Sequence, residues 1–204
     1  TSAPGVHPAV VLTPGQSTTT TLTFNAALTD PETAAYVCLE KTEGLTLPTA
    51  EEILRDGKAI AQTGDILVEN LKPSTTYVIA AAVANTGIYS EVNSIVMATG
   101  TPTPVVTLTA GATAPTTLTF TVGLADTEKA AYVCLEKADG TPVPTAEKIL
   151  TDGTAIAQAG EITVDNLKDG TTYVIAVAAS NKEVYSEVKS IEMATDKDLS
   201  GQAV

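Results

Sequence analysis

The chain has 204 residues, 44% hydrophobic and 17% charged, which allows one large core or two small ones and excludes wholesale disorder. Acidic residues outnumber basic ones 24 to 11, a formal charge of -13, so a nucleic-acid backbone or an anionic membrane surface is excluded as a partner. No run approaches the roughly 20 apolar residues of a spanning helix, and Thr1-Ser2-Ala3 opens without the regions of a signal peptide, so the segment reads as soluble, without membrane insertion, and compatible with a trimmed piece of a longer precursor.

Along the chain, residues Thr18 to Leu28 are rich in threonine with apolar side chains at Leu22, Phe24 and Ala26, a period of two that predicts a half-buried strand. Ala34 to Lys41 predicts a second strand. Thr49 to Gly57 predicts a two-turn helix: Thr49 can cap it, Glu52 completes a capping box and Gly57 can end it. Asp65 to Leu71, Thr75 to Asn85 and Ser90 to Thr99 predict three more strands, separated by the turn formers Lys72-Pro73-Ser74 and Asn85-Thr86-Gly87.

The pattern then repeats. Leu22-Thr23-Phe24 recurs as Leu118-Thr119-Phe120, Ala34 to Lys41 as Ala130 to Lys137, Pro48 to Glu51 as Pro144 to Glu147, and Tyr89 to Val92 as Tyr185 to Val188, all without a gap. About two-thirds of positions from Thr21 to Thr99 match, so this is a tandem duplication with domains at 1–100 and 101–204. Gly100-Thr101-Pro102-Thr103-Pro104 predicts an extended, semi-rigid connection and a rod-like arrangement. All aromatics, both cysteines and both methionines fall in matched pairs and read as a core template. Differences collect in loops: Thr42 to Leu47 against Ala138 to Val143, Pro73-Ser74 against Asp169-Gly170, and Thr86 to Ile88 against Lys182 to Val184. Lys148 replaces the capping-box glutamate, which predicts a weaker helix start after Thr145.

The stretch Val68-Glu69-Asn70-Leu71-Lys72-Pro73-Ser74-Thr75-Thr76-Tyr77-Val78-Ile79-Ala80, followed by Ala84-Asn85, Ser90 and Thr99, resembles the fibronectin type III signature. That signature has a leucine, a Pro-x-Thr turn, a tyrosine two residues on, an alternating strand, a serine and a closing threonine. The second copy keeps it in Leu167-Lys168-Asp169-Gly170-Thr171-Thr172-Tyr173, with aspartate in place of the proline. The resemblance implies an all-β protein of two tandem immunoglobulin-like, fibronectin type III-like β-sandwiches, seven strands each, with one short helix inserted in each. It further implies that Tyr77 and Tyr173 are tyrosine-corner residues bonding nearby backbone. The tryptophan usual on the second strand is absent, and Phe24 and Phe120 stand in its place. The helix falls where the family has a short strand or loop. Similar helix-bearing variants are modules of bacterial secreted and surface proteins, which implies an extracellular or cell-surface location.

With Tyr77 facing inward, Ile79, Ala81 and Val83 join it in the core, as Ile175, Val177 and Ala179 join Tyr173. The opposite face still carries Val78, Ala80 and Ala82. Its cover is either the helix around Ile53-Leu54, favoured because alanines permit close approach, or a partner.

Candidate chemistry is sparse. Cys38 and Cys134 stand at equivalent positions of separate domains, so both read as free thiols in the core rather than as reactive or metal-bound groups. His7 is the only histidine, which excludes a Ser/His/Asp or Cys/His engine and a tetrahedral zinc set. No phosphate loop, calcium loop or N-glycosylation acceptor occurs. Asp30 with Glu32, and Asp126 with Glu128, read as turn residues before a calcium pair, and Glu40 and Glu136 as solvated strand-end charges. Arg55-Asp56-Gly57 holds the letters of the integrin triplet in the wrong order. Tyr89 and Tyr185 read as structural before they read as exposed anchors. The expectation is a protein with no catalytic, metal or cofactor-binding residue, no cofactor and unassigned ligand residues. It is a non-catalytic spacer within a longer bacterial protein, whose partners are the other domains of that protein. The alternative is an adhesin, or a module binding a glycan or surface protein through loops or an exposed sheet face.

Overall fold

A computed structural model of the chain describes residues 7–138, 140 and 142–198. The chain divides into two compact units, Thr1–Thr101 and Pro102–Val204. In the first, β1 (Ala9–Ser17), β2 (Leu22–Thr29) and β5 (Gly64–Val68) form an antiparallel sheet in the order β1-β2-β5. The second sheet runs β4 (Lys58–Ala59), β3 (Thr33–Glu40), β6 (Thr76–Asn85), with β7 (Ile88–Tyr89) and β8 (Asn93–Ala98) both on the far side of β6. Helix α1 (Ala50–Asp56) lies between β3 and β4 in sequence.

β7 and β8 are one strand with a bulge. Tyr89 pairs with Ala84 and Asn93 with Ala81, so β6 advances three residues while its partner advances four. Ser90 holds the bulge: its Oγ accepts the Val83 N–H at 3.0 Å and donates to the Glu91 carbonyl at 2.9 Å. Counted this way, the unit has the seven strands that the resemblance implies. The second unit repeats the plan with β9 (Val105–Ala114), β10 (Thr117–Ala125), β11 (Lys129–Glu136), α2 (Ala146–Asp152), β12 (Thr154–Ala155), β13 (Gly160–Val164), β14 (Thr172–Asn181), β15 (Val184–Tyr185) and β16 (Lys189–Ala194).

The first predicted strand starts later than the threonine run suggests. Thr18 to Thr21 form a turn, closed by Thr18 N–H to the Thr21 carbonyl at 2.9 Å and by Thr18 Oγ1 accepting the Thr21 N–H at 3.0 Å. Before it runs β1, which strand pattern alone does not announce, because Pro14 and Gly15 interrupt it. Pro14 is tolerated on this edge strand at an irregularity in the register. A Cβ on Gly15 would lie 2.6 Å from the Thr23 carbonyl oxygen, so only glycine permits the strand to pass.

The core lies between the sheets. Phe24 is fully buried and meets Tyr36 edge to face at 5.2 Å, and Phe120 meets Tyr132 at 5.3 Å. Tyr77, Ile79, Ala81 and Val83 point into it, with Met97 opposite Tyr77 on β8. The Tyr77 hydroxyl accepts the Lys72 N–H at 2.9 Å, and Tyr173 accepts the Lys168 N–H at the same distance, making a tyrosine corner in each unit. The closing threonines lock the same turns: Thr99 Oγ1 donates to the Lys72 carbonyl and Thr195 Oγ1 to the Lys168 carbonyl, both at 2.6 Å.

β6 is buried on both faces, which explains its unbroken apolar run. Ala80, Ala82 and Ala35 form a second small cluster with Ile53 of α1, which is fully buried. The helix is therefore the cover of the outer face, and Ile149 repeats the contact on Ala131, Ala176 and Ala178. The complete capping box at Thr49 and Glu52 starts α1, while α2 has only the Thr145 side-chain cap. Gly57 ends the helix with extended backbone rather than a left-handed turn. A Cβ there would stand within van der Waals radii of the Ile53 carbonyl oxygen and 2.7 Å from that of Tyr36.

Candidate functional site

The paired carboxylates belong to the loops that carry them. Asp30 sits in the left-handed region at φ 51, its carbonyl accepting from Asn85 Nδ2 at 3.2 Å, and the Glu32 carboxylate accepts the Thr86 N–H at 2.7 Å. Glu128 accepts the Lys182 N–H at 2.9 Å in the second unit. These bonds tie the turn after β2 to the turn after β6. Among the described residues no three His, Cys, Asp or Glu side chains gather as a metal set.

Cys38 and Cys134 are free, partly buried thiols packed against the cores. Burial pushes both thiols above their ordinary pKa, which disfavours the nucleophilic thiolate. Glu40 pairs with Lys72 at 2.7 Å and Glu136 with Lys168 at 2.6 Å, exposed bridges from the strand end to the tyrosine-corner turn. Arg55 folds back on Asp56 at 2.7 Å at the end of α1, so the scrambled triplet is held in helix geometry.

Tyr89 and Tyr185 differ from the other matched aromatics. They are 50% and 46% exposed, because they stand on the short strands just before the bulge rather than over the core. Tyr89 borders a groove of about 380 Å³ lined also by His7, Pro8, Glu91 and Asn93. The corresponding depression in the second unit, between Pro104, Val105, Glu187 and Lys189, is about 230 Å³. Periodicity could not reveal this exposure, since it depends on where the bulge falls.

The other feature missed from the sequence is a difference between the copies. Val11, Leu67 and Val96 are 57%, 49% and 52% exposed in the first unit. The second unit carries Thr107, Thr163 and Glu192 at those positions. Aligning the copies and asking which apolar residues become polar is the signal that finds them.

No protein-family model matches the chain. No curated protein matches it either. Among solved structures, it is similar to a two-fibronectin-type-III-domain segment from chicken tenascin, with 14% sequence identity, a TM-score of 0.53, and coverage of 93% of this chain and 100% of that one. At this identity the likeness shows the fold: two tandem fibronectin type III-like β-sandwiches. No helix among the described residues is long and apolar enough to cross a membrane.

Proposed function

We propose that the chain is a non-catalytic structural module, a spacer within a longer secreted or surface-attached bacterial protein whose other domains are its partners. The observation that carries this reading is where the duplicated residues lie. Phe24, Tyr36, Tyr77, Met97 and Thr99 and their equivalents fill the core or lock the turns, so what the copies share maintains two sandwiches. The half-exposed Tyr89 and Tyr185 support a second reading, a module that binds a glycan or surface protein at the bulge end.

Glycan and matrix-protein panels probed with the full chain separate the two. The spacer reading expects no saturable binding. Saturable binding that is lost when Thr42 to Leu47 or Thr86 to Ile88 is replaced makes this a binding module instead.

A further inference from the structure

The β8 edge of the first unit is an unguarded sheet edge. Backbone bonds from Thr99 N–H to the Thr75 carbonyl, and from Lys41 N–H to the Thr76 carbonyl, fix the alternation of the ladder. Residues 77, 79 and 81 of β6 therefore bond to β8, and residues 76, 78 and 80 bond to β3. By the same alternation, the N–H and C=O groups of Ser94, Val96 and Ala98 point away from β6, out of the edge. Among the described residues none of these groups has a hydrogen-bond partner, and all three residues are exposed. β1 passes beside this edge but bonds only at its ends, where Leu12 N–H meets Asn93 Oδ1 at 3.1 Å and Gly100 N–H meets the Thr18 carbonyl at 2.8 Å.

An open edge is ordinarily protected by charge. Here protection is missing: from Val92 to Ala125 the chain has no charged residue, although its net charge is -13. The apolar row Leu39, Val78, Val96 crosses three strands in register and ends at the edge with Val96 52% exposed. The second unit has the same edge with guards in place. Glu192 stands where Val96 does and pairs with Lys137 at 2.7 Å, and Lys189 stands where Asn93 does and pairs with Glu187 at 2.9 Å.

We propose that β8 pairs with β8 of a second copy of this chain, antiparallel about a two-fold axis at Val96. This goes beyond the spacer reading and does not depend on it. The edge is self-complementary. Placing Val96 opposite its own counterpart sets Ser94 opposite Ala98 of the other copy and Ala98 opposite its Ser94. All three outward residues then form narrow pairs with two backbone bonds each. The apolar rows of the two copies meet at Val96, and no charge faces a like charge. The same register at β16 would place Glu192 against its counterpart about 5.5 Å away between Cα atoms, a like-charge pair that opposes docking. One chain thus carries a permissive edge and its guarded equivalent.

Val96→Glu in the full chain is the direct test, and it copies a residue that the fold already accepts at Glu192, with Lys41 available where Lys137 stands. Sedimentation from about 5 µM to 1 mM is expected to show a concentration-dependent dimer of the wild type. V96E should raise its dissociation constant by about tenfold or more, with an unfolding curve that matches the wild type at concentrations where both are monomeric. Amide exchange on the wild type should show Ser94, Val96 and Ala98 gaining protection as concentration rises, and this decides the matter should V96E fail to fold. A chain that stays monomeric to about 1 mM, a dimer that V96E leaves intact, or protection gained elsewhere overturns the proposal.

Discussion

Phe24 and Phe120 occupy equivalent positions and keep the same tyrosine against the same ring edge, at 5.2 and 5.3 Å. Val96 and Glu192 are equally equivalent, yet one offers an apolar side chain to solvent and the other an ion pair. The contrast holds generally across the two units. Inside, the large side chains recur, and the fully buried differences are exchanges between alanine and valine: Ala81 and Val83 against Val177 and Ala179, which conserve total volume, and Ala26 against Val122. Outside, most substitutions cost little, so the surfaces are where the two units can acquire different partners.

The comparison breaks first at the core, where the largest effects lie. Phe24→Ala and Phe120→Ala should each cost about 3 to 5 kcal/mol in denaturant unfolding of the full chain. A loss in one unit several times that in the other would show that the cores are not equivalent. Gly57→Ala and Gly153→Ala come next. The new Cβ would crowd two carbonyl oxygens, those of Ile53 and Tyr36 in one unit and of Ile149 and Tyr132 in the other. Each should cost about 1 to 3 kcal/mol by overpacking, and a neutral result at either would mean that the helix end relaxes freely. Tyr77→Phe and Tyr173→Phe keep the ring and remove one hydroxyl, so each should cost about 1 kcal/mol. A cost confined to one unit would limit the tyrosine corner to that unit.

The smallest effect separates the helices. Hydrogen bonds from the Thr49 backbone N–H and hydroxyl hold the Glu52 carboxyl below its usual range. A depressed carboxylate pKa contributes stability that is fully present above the unfolded value of about 4.3 and is lost as pH falls through the folded value. The Thr49 amide should therefore shift with the carboxyl titration in an NMR series from neutral to acid pH. Thr145, followed by Lys148, has no such partner, and its amide should not follow any box titration. Identical titration of the two amides would remove the capping box from the account.

Much of this was legible in the sequence because it rests on local chemistry. Strand-forming runs between turn formers mark β2, β3, β5, β6 and β8, with period two plain at β2, Thr49 with Glu52 marks the helix start, and the alanines of β6 announce a close-packed cover on its outer face. What escaped depends on backbone placement. β1 is masked by Pro14 and Gly15, and β4 has two residues, too few for any period. The outward turn of Tyr89 follows from the bulge at Ser90, which is set by register with β6 and not by residue type. The open β8 edge is a property of which amides point outward, and only the pairing shows that. Its sequence trace, Val96 against Glu192, becomes meaningful once both are placed on an edge.

Amide hydrogen exchange of the full chain tests the central claim, that one interior template builds both units. The Ile79 and Ile175 amides lie at equivalent points of the two core ladders, opposite Ile95 and Ile191. Their opening free energies should agree within about 1.4 kcal/mol, or tenfold in exchange rate. Exchange at one of them a hundredfold or more faster than at the other would contradict the claim and show that duplication of the sequence did not duplicate the core.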